Sequence, residues 1–241
     1  MLRQLTVFNL IVILFCMQPG SAHAQLIPMG LWNRVPMTGY ASTVMADGPR
    51  AFFHLNETSS SAAFTDATGN VTTGANPYNN VTLQQSGVVI DTGEHSAYFN
   101  GSTSSLYLGN SANLTGYSSF SIEAWIKTNS PAPNQWRQIY RWRGYGIMLG
   151  INTSGAAFVA YYDSGAAGHI LATTSAVTDN NWHHIVGTYN NATGALKIYV
   201  DGALNNSTTS TAAIFWGAGG AGIGRDHRSI MIRRDWFGSR S

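Results

Sequence analysis

Residues Phe120 to Lys127 alternate without a break. Phe120, Ile122, Ala124 and Ile126 fall on one side of an extended chain, and Ser121, Glu123, Trp125 and Lys127 on the other. Strand side chains repeat every two residues and helical ones every 3.6, so this segment buries an apolar face as a β-strand. Similar short runs recur along the chain: Ala51–Leu55, Ser96–Phe99, Leu106–Leu108, Gln138–Tyr145, Gly146–Ile151, Ala157–Tyr162, His183–Tyr189 and Leu196–Val200. Turn chemistry separates them. Asp66-Ala67-Thr68-Gly69-Asn70 and Asn190-Asn191-Ala192-Thr193-Gly194 suit loops, and Asp201-Gly202 suits a tight hairpin. No long segment shows a helical apolar period, so helices are expected to be short or absent. Many short strands at this spacing imply a sandwich, a jelly roll or a barrel.

The ends of the chain read differently. Arg3 precedes an apolar run from Leu5 to Met17, then Pro19-Gly20, then Ala22-His23-Ala24. That is the three-part pattern of a secretory signal peptide, with cleavage expected between Ala24 and Gln25. The run is shorter than a bilayer-spanning helix, so no permanent membrane anchor is expected. The one cysteine, Cys16, lies inside it, leaving an exported chain with no thiol and no disulfide. Residues 25–48 read as an extended lead-in and 49–241 as the folded domain. The formal charge of +2 and the lack of a basic, aromatic-interleaved stripe exclude a nucleic-acid partner. Asn-x-Ser/Thr triplets at Asn56, Asn80, Asn100 and Asn191 are what a chain rich in Asn, Ser and Thr contains by chance.

Several segments together resemble a known family. Trp182–Tyr189 followed by Leu196–Gly202, Phe120–Lys127, Ala51–Glu57 with Asp66–Asn70, and Tyr98–Ser102 are similar, in order and spacing, to the core of laminin-G-like jelly-roll domains. The resemblance covers roughly residues 48–224. It implies a concanavalin A-like fold of two antiparallel β-sheets packed face to face, in a family that mostly binds glycans, matrix proteins or other surface ligands. At the end the chain departs from the pattern. Trp236-Phe237-Gly238-Ser239 could begin the family's closing strand, but Arg240-Ser241 stops it, after an arginine-rich run from Arg225. A truncated or frame-altered end, and a sheet edge without its last partner, are expected.

Four sets of residues could carry chemistry. Glycanases of this fold place paired carboxylates on one strand at E-x-D-x-x-E, since acid and nucleophile must flank one bond. Glu123 has no such partner, so no hydrolase is expected. His183 and His184 are adjacent on a strand, point to opposite faces and cannot chelate one metal. Asp66 and Asn70 offer oxygen ligands that suit Ca²⁺. Trp136, Tyr140, Trp142 and Tyr145, interleaved with Arg137, Arg141 and Arg143, form the candidate ligand site, because a ring face packs on the apolar face of a sugar. The expected function is a secreted, non-catalytic recognition domain for a glycan or a surface protein. The alternative is a structural or adhesive part of a larger surface assembly.

Overall fold

The computed structural model describes residues 39–59, 64–71, 80–87, 95–101, 103–109, 114–129 and 136–224, and, by backbone alone, 8–15 and 78–79. The arginine-rich tail and the cleavage site lie outside the described residues.

Two sheets form the body. The first runs β14 (Ala203–Thr209), β13 (Ala195–Val200), β12 (Trp182–Asn190), β7 (Phe120–Lys127), β1 (Phe8–Phe15), β5 (His95–Phe99) and β4 (Val81–Ser86). A short β2 (Ala51–Phe53) also pairs with β1. The second runs β11 (Gly168–Ala176), β10 (Ala156–Tyr162), β9 (Ile147–Ile151), β8 (Arg137–Trp142), β15 (Ala221–Ile223), β6 (Ser105–Gly109) and β3 (Tyr78–Asn79). Every pairing is antiparallel. This is the two-sheet sandwich expected from the alternation.

The inward set Phe120, Ile122, Ala124 and Ile126 joins Ile185, Leu196 and Ile198 from the first sheet in one core cluster. Tyr140, Trp142, Leu149, Ile151, Val159 and Tyr161 come from the second. The alternation in β7 would leave Ser121, Glu123 and Trp125 toward water, yet they too are buried. Helix α1 (Tyr40–Ala46) packs near that face: Trp125 Nε1 donates to the Tyr40 hydroxyl at 3.0 Å, and Val44 packs against Phe52. The lead-in is therefore partly helical rather than extended throughout. Among the described residues no helix is long and apolar enough to cross a membrane.

The hairpin turn Asp201-Gly202 forms as expected, with left-handed φ of 52° and 81°. β11 and β14 have sequences too polar to announce themselves: their burial patterns are mostly exposed.

Gly187 sits on the inward face of β12, paired with Ile122 and Ile198. A Cβ there would lie 2.5 Å from Val159 Cγ2, across the inter-sheet contact. Since Val159 is β-branched and fully buried, it has little room to yield. Gly187→Ala is expected to cost about 1–3 kcal/mol, read as a lower urea midpoint at an unchanged slope.

Candidate binding face

Strand registers place one row of residues across the outer face of the second sheet. It runs Tyr107, Gly222, Arg141, Met148, Ala160, Ile170. The end residues Tyr107 and Ile170 are each 43% exposed. The middle is low, because Gly222 carries no side chain and Met148 and Ala160 are buried. Arg143, two residues beyond Arg141, lays its guanidinium 5.4 Å over the Tyr107 ring, within cation–π range.

Next to this row an aromatic corner forms where two loops cross. Tyr145, 46% exposed, meets Tyr162 edge-on at 5.6 Å and Phe215, 40% exposed, at 6.4 Å. The 212–220 segment is strapped to the end of β10 and to the end of β8 and the turn after it. Phe215 N donates to Tyr162 O (2.8 Å), Arg143 N donates to Gly220 O (2.9 Å), and Trp142 Nε1 donates to Gly217 O (3.0 Å). Only glycine allows this approach: a Cβ on Gly144, which holds φ 78°, would strike Ala218 O, and one on Gly217 would strike Gly144 O. At the other end Trp136 packs on Phe158 at 4.7 Å, over Met148 and Ala160.

Arg141 supplies the electrostatics. Burial pulls its guanidinium below the usual arginine range, Arg143 adds to that, and Tyr162 and Tyr145 oppose it. Among the described residues no carboxylate pairs with Arg141. A half-buried guanidinium with its fork unclaimed by an anion, flanked by exposed rings, is suited to hold a planar oxyanion and the ring attached to it.

The sequence-derived ligand residues therefore divide. Tyr145 is on this face and exposed, and Trp136 flanks it half-buried. Tyr140 and Trp142 share a face as alternation requires, but it is the inward one: both belong to the core cluster and are at most 4% exposed. They are not a ligand platform. Of the interleaved arginines, Arg141 takes the outer row opposite Met148 and Arg143 lies over Tyr107, whereas Arg137 is in register with the core residue Ile151. Tyr107 and Phe215 have no motif to mark them; Phe215 comes to the site through the loop crossing alone.

Asp66 and Asn70 do not fit calcium. Asp66 Oδ1 accepts from Phe52 N (2.8 Å) and Thr68 N (3.1 Å), and Oδ2 from Thr68 Oγ1 (2.6 Å) and Val71 N (2.9 Å). These four donors use the carboxylate's accepting capacity. Asn70 turns its Nδ2 to the Arg50 carbonyl (3.2 Å). Among the described residues no cluster of three His, Cys, Asp or Glu could hold a metal.

His183 and His184 diverge as expected. His184 stacks on Trp125 at 4.8 Å, with Nε2 3.5 Å from Glu123 Oε2, too far for a hydrogen bond. His183 is held on both nitrogens, Nδ1 by Asp201 (2.7 Å) and Nε2 by Asp179 (3.0 Å). Ser210 Oγ, His169 Nδ1 (3.0 Å) and Asp163 Oδ2 (2.9 Å from His169 Nε2) form a second relay. Its order resembles a serine nucleophile's, but Ser210 Oγ also receives the Tyr161 hydroxyl (2.7 Å). The backbone N–H of Ala212 points at Oγ itself, not at an oxyanion position. This relay reads as a tie between the β10–β11 turn and the chain after β14.

The Asp201 hydrogen bond raises the His183 pKa, burial opposes it, and Asp179 adds to the rise. A folded pKa above the unfolded value of about 6.5 makes this contribution full below that value and lost as pH rises through the folded pKa. Urea denaturation from pH 5.5 to 9 is expected to show the stability gap between the wild type and Asp201→Asn shrinking as pH rises.

A family model described as the concanavalin A-like lectin/glucanases superfamily matches residues 100–238. Similar solved structures include the binding domain of Paraclostridial Mosquitocidal Protein 1, 13% identical, covering 66% of this chain and 44% of that one, TM-score 0.49. A point mutant of HCR/D is 19% identical, with 68% and 41% covered and a TM-score of 0.51. Ruminococcus gnavus IT-sialidase CBM40 bound to alpha2,3 sialyllactose is 16% identical, with 43% and 61% covered and a TM-score of 0.35. This chain spans about two fifths of the length of the first two. Among curated proteins none matches the sequence.

Proposed function

Since the chain belongs to the concanavalin A-like lectin/glucanase superfamily, we propose that it is a secreted, non-catalytic recognition domain that binds acidic glycans on the outer face of its second sheet. One observation carries the ligand class: Arg141 is part-buried on the outer row, within the electrostatic reach of Arg143, Tyr145 and Tyr162, with no carboxylate partner among the described residues. An acidic sugar supplies both missing parts, a carboxylate for the guanidinium fork and an apolar ring face for Tyr145 and Phe215. The non-catalytic reading is supported by Glu123, the carboxylate of β7, which is buried beside His184 and Trp125 rather than lining an open cleft with a second acid. Export is supported by the leader pattern of residues 1–24.

Glycan-array binding of the purified chain, followed by calorimetry on the best ligand, tests this. Sialylated or uronate-containing glycans are expected to be retained. Arg141→Ala is expected to weaken them at least about tenfold, or ~1.4 kcal/mol, with little change in melting temperature. Retention unchanged by Arg141→Ala, or no retained glycan at all, would overturn the reading.

Tyr145→Ala separates stacking from charge. It is expected to weaken acidic and neutral sugars by a similar factor of about five to tenfold, whereas Arg141→Ala discriminates between them. Paired titrations with a sialylated oligosaccharide and its desialylated form check this.

A further inference from the structure

The first sheet is completed by a strand from the very start of the chain. β1 pairs with β7 through seven residues, Asn9 opposite Lys127 to Phe15 opposite Ser121. Its other edge pairs with β5 (Phe8 opposite Phe99 to Leu10 opposite Ala97) and then with β2 (Val12 opposite Phe53 to Leu14 opposite Ala51). Among the described residues, the other sheet neighbour of β7 is β12 and that of β5 is β4, while β2 keeps one isolated bridge, Phe53 to Asp66. Without β1 the sheet is parted into two pieces facing each other across a gap one strand wide, roughly 10 Å between β5 and β7. Both walls would then carry rows of unpaired backbone N–H and C=O groups.

The walls also specify the occupant's side chains. The register sets Leu10, Val12 and Leu14 opposite Ile126, Ala124 and Ile122, all in the core cluster. It sets Ile11 and Ile13 opposite Trp125 and Glu123, which are buried on the other face. A slot covered on both faces calls for a nearly continuous apolar strand. The run Phe8-Asn9-Leu10-Ile11-Val12-Ile13-Leu14-Phe15 is one. It is also the apolar stretch of the leader pattern, and one segment cannot be both discarded and retained.

We propose that the gap between β7 and the β5–β2 edge is a strand-acceptor site, filled by Phe8–Phe15 in the unprocessed chain and open to an extended apolar polypeptide strand of seven to eight residues from a partner once residues 1–24 are removed. Recognition is β-strand addition: backbone bonds on both edges give affinity, and the two buried faces select apolar side chains. The proposal uses the leader reading only to say when the slot opens, and it does not depend on glycan binding.

The test uses the full chain with a protease site inserted between Ala24 and Gln25, cut after folding. A fluorescent peptide of residues 6–17 with terminal lysines for solubility is then added. The cut segment is expected to stay bound through gel filtration and to be replaced by the labelled peptide at one per chain. A peptide carrying Ile11→Pro and Ile13→Pro is expected to compete at least about tenfold more weakly, because proline lacks the N–H that a central strand donates. Release of the cut segment with an unchanged urea midpoint would overturn the proposal, as would failure of the peptide to enter. Dimerisation of the cut chain without peptide uptake would assign the slot to a second copy and overturn the partner strand. Glycan binding is not a readout, so either failure leaves the outer-face reading separately testable.

Discussion

The two edges and two faces of β7 are all occupied, and the rest of the molecule is arranged around that fact. β12 takes one edge over eight residues and β1 the other over seven. The second sheet covers one face, and Tyr40 of α1 reaches the other through Trp125. A strand closed on every side has no solvent to satisfy its backbone, so each neighbour must supply full pairing. This is why the loss of a single neighbour matters more here than at the polar edge strands β14 and β11, whose side chains are largely in water. The Asp201 carboxylate, which binds the His184 N–H and the His183 ring at the head of β12, serves the same requirement from the turn beyond β13.

The proposed binding face is an outcome of the same packing. Tyr140 and Trp142 fill the core opposite the first sheet, and period two then sends Arg141 and Arg143 outward. The core thus sets the arginines' direction without specifying them. The glycine crossing at 144 and 217 brings Phe215 beside Tyr145, although some 70 residues separate them in sequence. Rings on a rigid crossing lose little freedom on meeting a ligand, which favours affinity from a small contact area.

Much of this is legible in the sequence. The alternation of Phe120–Lys127 gave β7 its limits, and the flanking runs and the Asp201-Gly202 turn gave β12, β13 and their hairpin. Less legible was anything decided by which face is inward. Periodicity reports that Tyr140 and Trp142 share a side; it carries no sign, and aromatic residues suit core and surface alike. Asp66 and Asn70 read as oxygen ligands because a turn that satisfies its own backbone uses the same residue types as a calcium loop. Phe215 and Tyr107 had no local signal at all, since their proximity to the site comes from a loop crossing and a register.

The apolar run at Phe8–Phe15 shows where composition alone is ambiguous. A leader's apolar stretch and a doubly buried strand are both short, uncharged and rich in Leu, Ile and Val, because each must leave water completely. What separates them is the partner: a leader meets lipid and the export machinery and satisfies its backbone within itself, whereas a strand needs two edges. The sandwich offers those edges, and register with Ile122, Ala124 and Ile126 gives the run a specific place rather than a general refuge. The expected edge lacking its closing strand concerns residues outside the described ones, while the place between β7 and β5 is filled here from the start of the chain. Such a sheet is complete only when that place is filled.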